Sequence, residues 1–206
     1  MPRPKQRTPE LRDSVLSAAL ELLASEGVAG FTTRSVARAA DTSTPAVYEL
    51  FGDKGGLVRE LFFAGFRLLR EQLGTLAESG DRRSRARVEL VAMLARYRQF
   101  IRENPVLAEV MFSRPFSDFD PSEDERAAGE SVRVFVIERV RRCVDAGVLV
   151  GDETDLAHVI VALVQGLALA ENARRLGTSQ KSIERRWSLA LDGLLDGLGP
   201  PDRAAR

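Results

Sequence analysis

Few side chains in this sequence can carry covalent chemistry. His158 is the one histidine and lies three residues after Asp155. On a helix that spacing is open to a metal pair or a proton relay, although a lone histidine more often bonds a neighbour. Cys143 is the one cysteine, so it has no partner for an internal disulfide. It stands among apolar and arginine residues, as a buried small hydrophobe does, and a reducing compartment suits it. The carboxylates Asp118 and Asp120 sit in a polar stretch, and no glycine-rich phosphate loop is present. We therefore expect no enzyme, no cofactor and no metal, with an all-α enzyme using Asp155 and His158 as an alternative. A denser group of polar donors runs through Thr32, Thr33, Arg34, Ser43, Thr44, Tyr48 and Lys54. Hydroxyls and cations of this kind donate to phosphate or neutralise it.

The elements that must position these groups read as helices throughout. Thr8 can cap a helix from Pro9 whose apolar residues Val15, Ala19, Leu22 and Leu23 recur at helical spacing until Glu26-Gly27. Thr32 predicts a short helix through Ala40, and Ser43 or Thr44 a third from Ala46 to Phe51 with Pro45 in its first turn. Gly52-Asp53 opens a longer helix striped with Leu57, Leu61, Phe62, Leu68, Leu69 and Leu76. Asp81 predicts the next start, Asn104-Pro105 a break with a successor through Phe112, and residues 113 to 124 a loop. Helix resumes before Val132 and runs to Gly147. Thr154 opens a segment apolar almost all round, which predicts burial on two sides. The last helix starts near Thr178 or Ser179 and stops at Gly199-Pro200-Pro201. No segment alternates as a strand does, so the chain is all-α: a three-helix head with a helix-turn-helix, and a helical body.

In the head, Val36, Val47 and Phe51 can pack inward and leave Thr44, Pro45, Ala46, Tyr48 and Glu49 on the open face of the third helix. Glu26-Gly27, Thr32-Thr33, Val36-Ala37, Tyr48, Phe51 and Lys54 then follow in an order and spacing that closely resemble the TetR family of bacterial regulators. The resemblance implies a helix-turn-helix head that holds double-stranded DNA and a body that dimerises and senses a small molecule. Residue by residue, it implies that Thr33 meets a phosphate with Arg34 and Ser43 beside the interface. Thr44, Pro45, Ala46 and Glu49 would face base edges, and Tyr48 and Lys54 would grip the backbone. Three positions depart from the family pattern: Asp41 replaces glycine, Thr42 an apolar residue and Leu50 a histidine. Asp41 tolerates a left-handed turn better than most side chains. Asp41 and Leu50 also leave open a dimeric binding module with impaired DNA binding.

The expected domains are a basic arm (1–8), the head (9–52), the ligand-binding and dimerisation body (53–199) and a tail (200–206). Arg3, Lys5 and Arg7 make the arm either a minor-groove contact or disordered chain. In the body, Phe62, Phe66, Met93, Tyr97, Phe100 and Phe112, with Phe63 and Phe116, supply enough apolar surface to line a ligand cavity, or else plain core. His158 and Gln165 share one helix face and can meet that ligand. Val164-Gln165-Gly166 stands where one subgroup of the family has Trp-His-Gly, matching only at the glycine. Leu163, Leu167, Trp187, Leu191 and Leu194 form the expected dimer surface.

Composition sets limits on all of this. The 206 residues are 44% hydrophobic and 29% charged, an ordinary globular balance. Basic and acidic residues both number 30, so attraction to DNA must come from local patches rather than a global field. No signal-type stretch and no run of ~18 uninterrupted apolar residues appears, which predicts a cytoplasmic protein without a membrane partner.

Overall fold

The structure, a computed structural model, describes residues 8–74, 82–112 and 123–201. Among the described residues there are nine helices and no strand. They are α1 (Pro9–Gly30), α2 (Thr33–Ala39), α3 (Thr44–Phe51), α4 (Lys54–Leu73), α5 (Arg82–Glu103), α6 (Pro105–Phe112), α7 (Glu123–Asp145), α8 (Glu153–Asn172) and α9 (Gln180–Gly197). The all-α expectation holds. The basic arm to Arg7, Leu76, the Asp81 cap, Phe116, Asp118, Asp120 and most of the 113–124 loop lie outside the described residues. The start of α7 at Glu123 falls inside the predicted loop.

The chain divides into two compact units, one of Met1–Leu68 with Asn104–Gly129, the other of Leu69–Glu103 with Glu130–Arg206. In the first unit α1 packs on α2 and α6, and α2 on α3. Val15, Ala19, Phe31, Val36, Ala37, Val47, Leu57 and Leu61 form its core. Val36 and Val47 are fully buried, and removing each from water stabilises the head by about 1.5–3 kcal/mol. Gly27, with φ 66, breaks the regular path of α1 where the sequence predicts its end.

Local chemistry sets the helix ends. Thr32 and Ser35 form a reciprocal cap at the start of α2, and Ser43 caps α3 by accepting from the Ala46 N–H. At the end of α2 the Thr42 N–H bonds back to the Ala37 carbonyl at 2.9 Å, which requires the residue between them to turn left-handed. That residue is Asp41, at φ 48. The same i to i−5 closure ends α7 (Val148 to Cys143, with Gly147 at φ 67) and α8 (Arg175 to Ala170, with Arg174 at φ 56). The predicted start of α8 at Thr154 is corrected to Glu153. Asp152 is the cap, its carboxylate accepting from the Thr154 and Asp155 N–H groups at 2.9 and 3.0 Å.

In the second unit α5 packs on α8 and α8 on α9. Leu90, Met93, Leu94, Phe100 and Ile101 of α5 are buried, as are Leu156, Ile160, Val164 and Ala168 along one stripe of α8. Within one chain α8 is therefore not buried on two sides. Val159 is 49% exposed, and Leu163 and Leu167 are half-buried. By length and composition α8 would fit a bilayer, but Asp155, His158 and Gln165 interrupt it and its buried stripe is protein core.

Asp41→Gly removes a side chain from a left-handed position while leaving the α2–α3 closure intact. It should stabilise the protein by up to about 1 kcal/mol, read as a higher urea midpoint at unchanged slope.

Candidate nucleic-acid interface

The face of α3 away from its core is built by subtraction. Val47 and Phe51 point inward, so Pro45, Tyr48 and Glu49 are exposed and Thr44 is partly exposed. Ala46 departs from the predicted set, because it is buried. Its one methyl group stands next to Val47 and is too short to emerge from the packing of α2 on α3. Its N–H serves the Ser43 cap at 3.3 Å, so Ser43 acts here through that bond.

The start of α2 meets α3 through the Thr33 hydroxyl, which donates to the Tyr48 hydroxyl at 3.4 Å. Arg34 is exposed one residue further on. Lys54 opens α4, with its ammonium 5.7 Å from the centre of the buried Phe31 ring. The Asp53 carboxylate caps that helix by accepting from the Gly56 N–H at 2.8 Å. Two helix N-termini, two hydroxyls and a phenol are thus held on the three-helix head, with an ammonium at the first turn of α4. Such groups suit phosphate, and the open α3 face suits base edges. Arg12, absent from the predicted set, reaches the end of α3 from α1. Its place three residues before Val15 sets it at the edge of the inward stripe of α1, and nothing local in the sequence names its acceptor.

The predicted ligand residues form separate groups. In the first unit Phe62 and Phe66 have ring centres 4.8 Å apart, and Phe66 meets Phe112 edge-on at 6.1 Å. In the second unit Met93 and Phe100 are buried and Gln165 donates to the Tyr97 hydroxyl at 2.8 Å. Burial raises the Tyr97 phenol above its ordinary range, so it stays neutral. His158 does not join them: it is exposed, with Nδ1 2.7 Å from the Thr154 carbonyl. The buried stripe of α8 turns away from it, and only the longer Gln165 side chain reaches back. The same bond holds the ring to the backbone rather than to Asp155.

Among the predicted dimer residues Leu163, Leu167, Leu191 and Leu194 are half-buried, whereas Trp187 is 3% exposed within one chain. Its indole N–H donates to Glu171 at 2.8 Å and its ring lies 4.5 Å under the Arg98 guanidinium. Trp187 is therefore corrected from a partner contact to core, because it completes a polar junction of α5, α8 and α9. Arg98 binds Glu171 and Glu184 together, each at 2.8 Å. Cys143 is buried and donates to the Ala86 carbonyl at 3.3 Å. Burial, aided by Glu89, pushes its thiol up to about 11, which makes it inert at neutral pH.

A helix-turn-helix head with an all-helical body defines a class of bacterial DNA-binding regulator, and sequence comparison narrows it. Residues 15–61 match the bacterial regulatory proteins of the tetR family, and residues 90–194 match a tetracyclin repressor-like C-terminal domain. The chain belongs to the TetR family and is a ligand-responsive DNA-binding transcriptional regulator. No curated protein matches it. A protein of unknown function from Rhodococcus sp. RHA1 superposes with a TM-score of 0.77 at 25% identity, over 96% of this chain and 100% of its own. A tetR-family regulatory protein from Rhodococcus RHA1 gives 0.71 at 18%, over 95% and 100%. A variant of TetR from Acinetobacter baumannii AYE, in complex with minocycline, gives 0.58 at 22%, over 90% and 94%. The last two likenesses are of fold.

Glu171 is the hub of the Arg98 junction, and removing one side of a buried pair costs about 3–5 kcal/mol. Glu171→Leu should cost about 3 kcal/mol, at the lower end of that range because Glu184 still holds Arg98. Chemical unfolding monitored by circular dichroism measures it, and a loss below about 1 kcal/mol would show the junction to be surface decoration.

Proposed function

We propose that this regulator is a repressor that holds a pseudo-palindromic operator as a homodimer and lets go when a small apolar or amphipathic effector binds. The observation that carries the DNA half is the open face of α3, where Pro45, Tyr48 and Glu49 are exposed and Thr44 is partly exposed, opposite a buried Val47 and Phe51. Thr33, Arg34, Ser43, Tyr48 and Lys54 serve the phosphate backbone, and Thr44, Pro45 and Glu49 the base edges. A two-fold dimer presents two such helices to successive major grooves. The head spans 9–52 and the body 53–199, with the arm before and the tail after, and the protein works in the cytoplasm on the nucleoid.

The dimer reading rests on α8 and α9. Val159 is 49% and Leu189 74% exposed, and half-buried leucines lie on the same two helices. Apolar surface of this extent calls for a partner, and a second copy supplies it. The effector reading rests on the aromatic group of Phe62, Phe66 and Phe112 and on the buried Tyr97–Gln165 pair. The minocycline held by the Acinetobacter relative is a ligand of comparable character. Helix α4 is continuous from Lys54 to Leu73 and carries both Lys54 and Phe66, so a ligand that prefers one pose of α4 changes DNA affinity. The coupling, typically ~1–3 kcal/mol, must act equally in both directions.

Sequencing the genomic fragments that the purified protein retains gives the operator. On that duplex, Lys54→Ala should weaken all sequences alike and lower the slope of log affinity against log salt by about one unit. Thr44→Ala should instead alter the preference among operator variants, and equal losses on operator and random DNA would remove its base-reading role.

Leu189→Glu combined with Val159→Glu should yield folded monomers in light scattering. A surviving dimer would place the interface elsewhere. Trp187→Glu is not a usable probe of assembly, because it breaks the core of each body.

A further inference from the structure

We infer that Arg12 is a positioning residue of the DNA-reading head: it fixes the pose of α3 from behind and ties that pose to α4, without itself meeting DNA. The inference rests on the reading of α3 as the helix that contacts bases.

A helix leaves its last carbonyls without partners in its own ladder, and a short helix is held only as well as those groups are. At the end of α3 the Tyr48 carbonyl accepts from the Gly52 N–H at 2.8 Å, and the Phe51 carbonyl accepts from the Asp53 N–H at 3.0 Å. The Leu50 carbonyl is met from another helix: Arg12 of α1 donates to it through Nη1 at 3.3 Å. The same guanidinium lies over the Phe51 ring, 4.9 Å from its centre, and its Nη2 pairs with Glu60 of α4 at 2.6 Å. One side chain therefore holds the last turn of α3 by a hydrogen bond and a ring face, and holds α4 by an ion pair.

The chemistry requires arginine. Its planar fork offers several donors at fixed angles together with a flat face, whereas the lysine ammonium is a point charge that cannot serve a carbonyl, a ring and a carboxylate in three directions. A cation at a helix C-terminus is also favourably placed against the helix dipole. The ion pair is partly exposed, with side-chain accessibilities of 36% and 28%, so its value is in placement more than in stability.

Helix α4 closes the other side. A Cβ on Gly56 would lie 1.8 Å from the Phe51 carbonyl oxygen, so the first turn of α4 sits directly against the end of α3. Arg12 and the first turn of α4 thus hold that end from two sides. The residues that read DNA, Thr44 and Pro45, stand at the opposite end of the same eight-residue helix. A small tilt allowed at Leu50 and Phe51 misplaces them, and base contacts tolerate misplacement less than phosphate contacts do.

The test uses the full-length protein, a duplex enriched by it from random-sequence DNA, and a scrambled duplex of equal length. Arg12→Met should lower affinity for the enriched duplex roughly tenfold to hundredfold, with less than about a threefold change on the scrambled one and an unchanged salt slope. Arg12→Lys should fail to rescue it. Glu60→Gln should give a smaller loss with the same selectivity, and the double variant should lose less than the sum of the two. A salt slope lower by about one unit, together with rescue by lysine, would make Arg12 a phosphate contact and overturn the inference. Equal losses on both duplexes that track lost helix content would reduce it to a structural residue. Should Arg12→Met fail to fold, Glu60→Gln decides, and full discrimination between the duplexes in that variant overturns the proposal. If the unaltered protein enriches no duplex, the DNA reading of α3 falls, an outcome distinct from any of these.

Discussion

Helices of seven and eight residues do not hold themselves together, and the head is organised around that constraint. Neither α2 nor α3 gains enough from its own hydrogen bonds to offset the cost of nucleation. Their stability comes from side chains at their ends and from a shared core. Each cap contributes about 0.5–2 kcal/mol, and Val36 and Val47 contribute more by burial. An exposed recognition face follows from the same arrangement, because a short helix that buries one side against its neighbour leaves the other side bare. Function in the head is thus the remainder of a packing solution.

The body solves a different problem. Its helices are long enough to be regular, and α8 is apolar on more of its circumference than one chain covers. Uniform apolar surfaces slide past one another, and polar groups between them set register. The Arg98 junction has that character: two carboxylates from α8 and α9, a guanidinium from α5 and an indole N–H close one network. Breaking it strands a buried charge, whereas sliding leucine over leucine costs little. The Asn172 side chain adds a second tie, donating to the Ile101 carbonyl at 2.9 Å.

Most of the fold was legible because its signals are local. Thr32, Ser43, Pro45 and Gly27 mark helix ends within a few residues of where those ends occur, and the apolar period marks the inward faces. The sequence points to Thr154 where Asp152 is the cap, because both residue types cap well and only backbone geometry chooses between them. The errors at the site share one cause. Periodicity says that Ala46 or Trp187 lies on a given side of a helix, but not what stands opposite. Ala46 is covered because a methyl group does not protrude, and Trp187 is internal because Glu171 and Arg98 close over it. Arg12 was invisible for the converse reason, since a charged residue at the edge of an apolar stripe reads as solvated until its acceptor, 38 positions away, is in view.

Trp187 is also the only tryptophan in the chain, so the protein carries one indole fluorophore at one known place. Its indole is dry, hydrogen-bonded to a carboxylate and faced by a guanidinium. A positive charge over the ring and a negative one at its nitrogen bias the excited-state dipole, so the emission wavelength reports the electric field at the meeting point of three helices. An event that parts the Trp187 indole from Glu171 or Arg98 changes that field and shifts the emission, with no label added to the DNA-reading head.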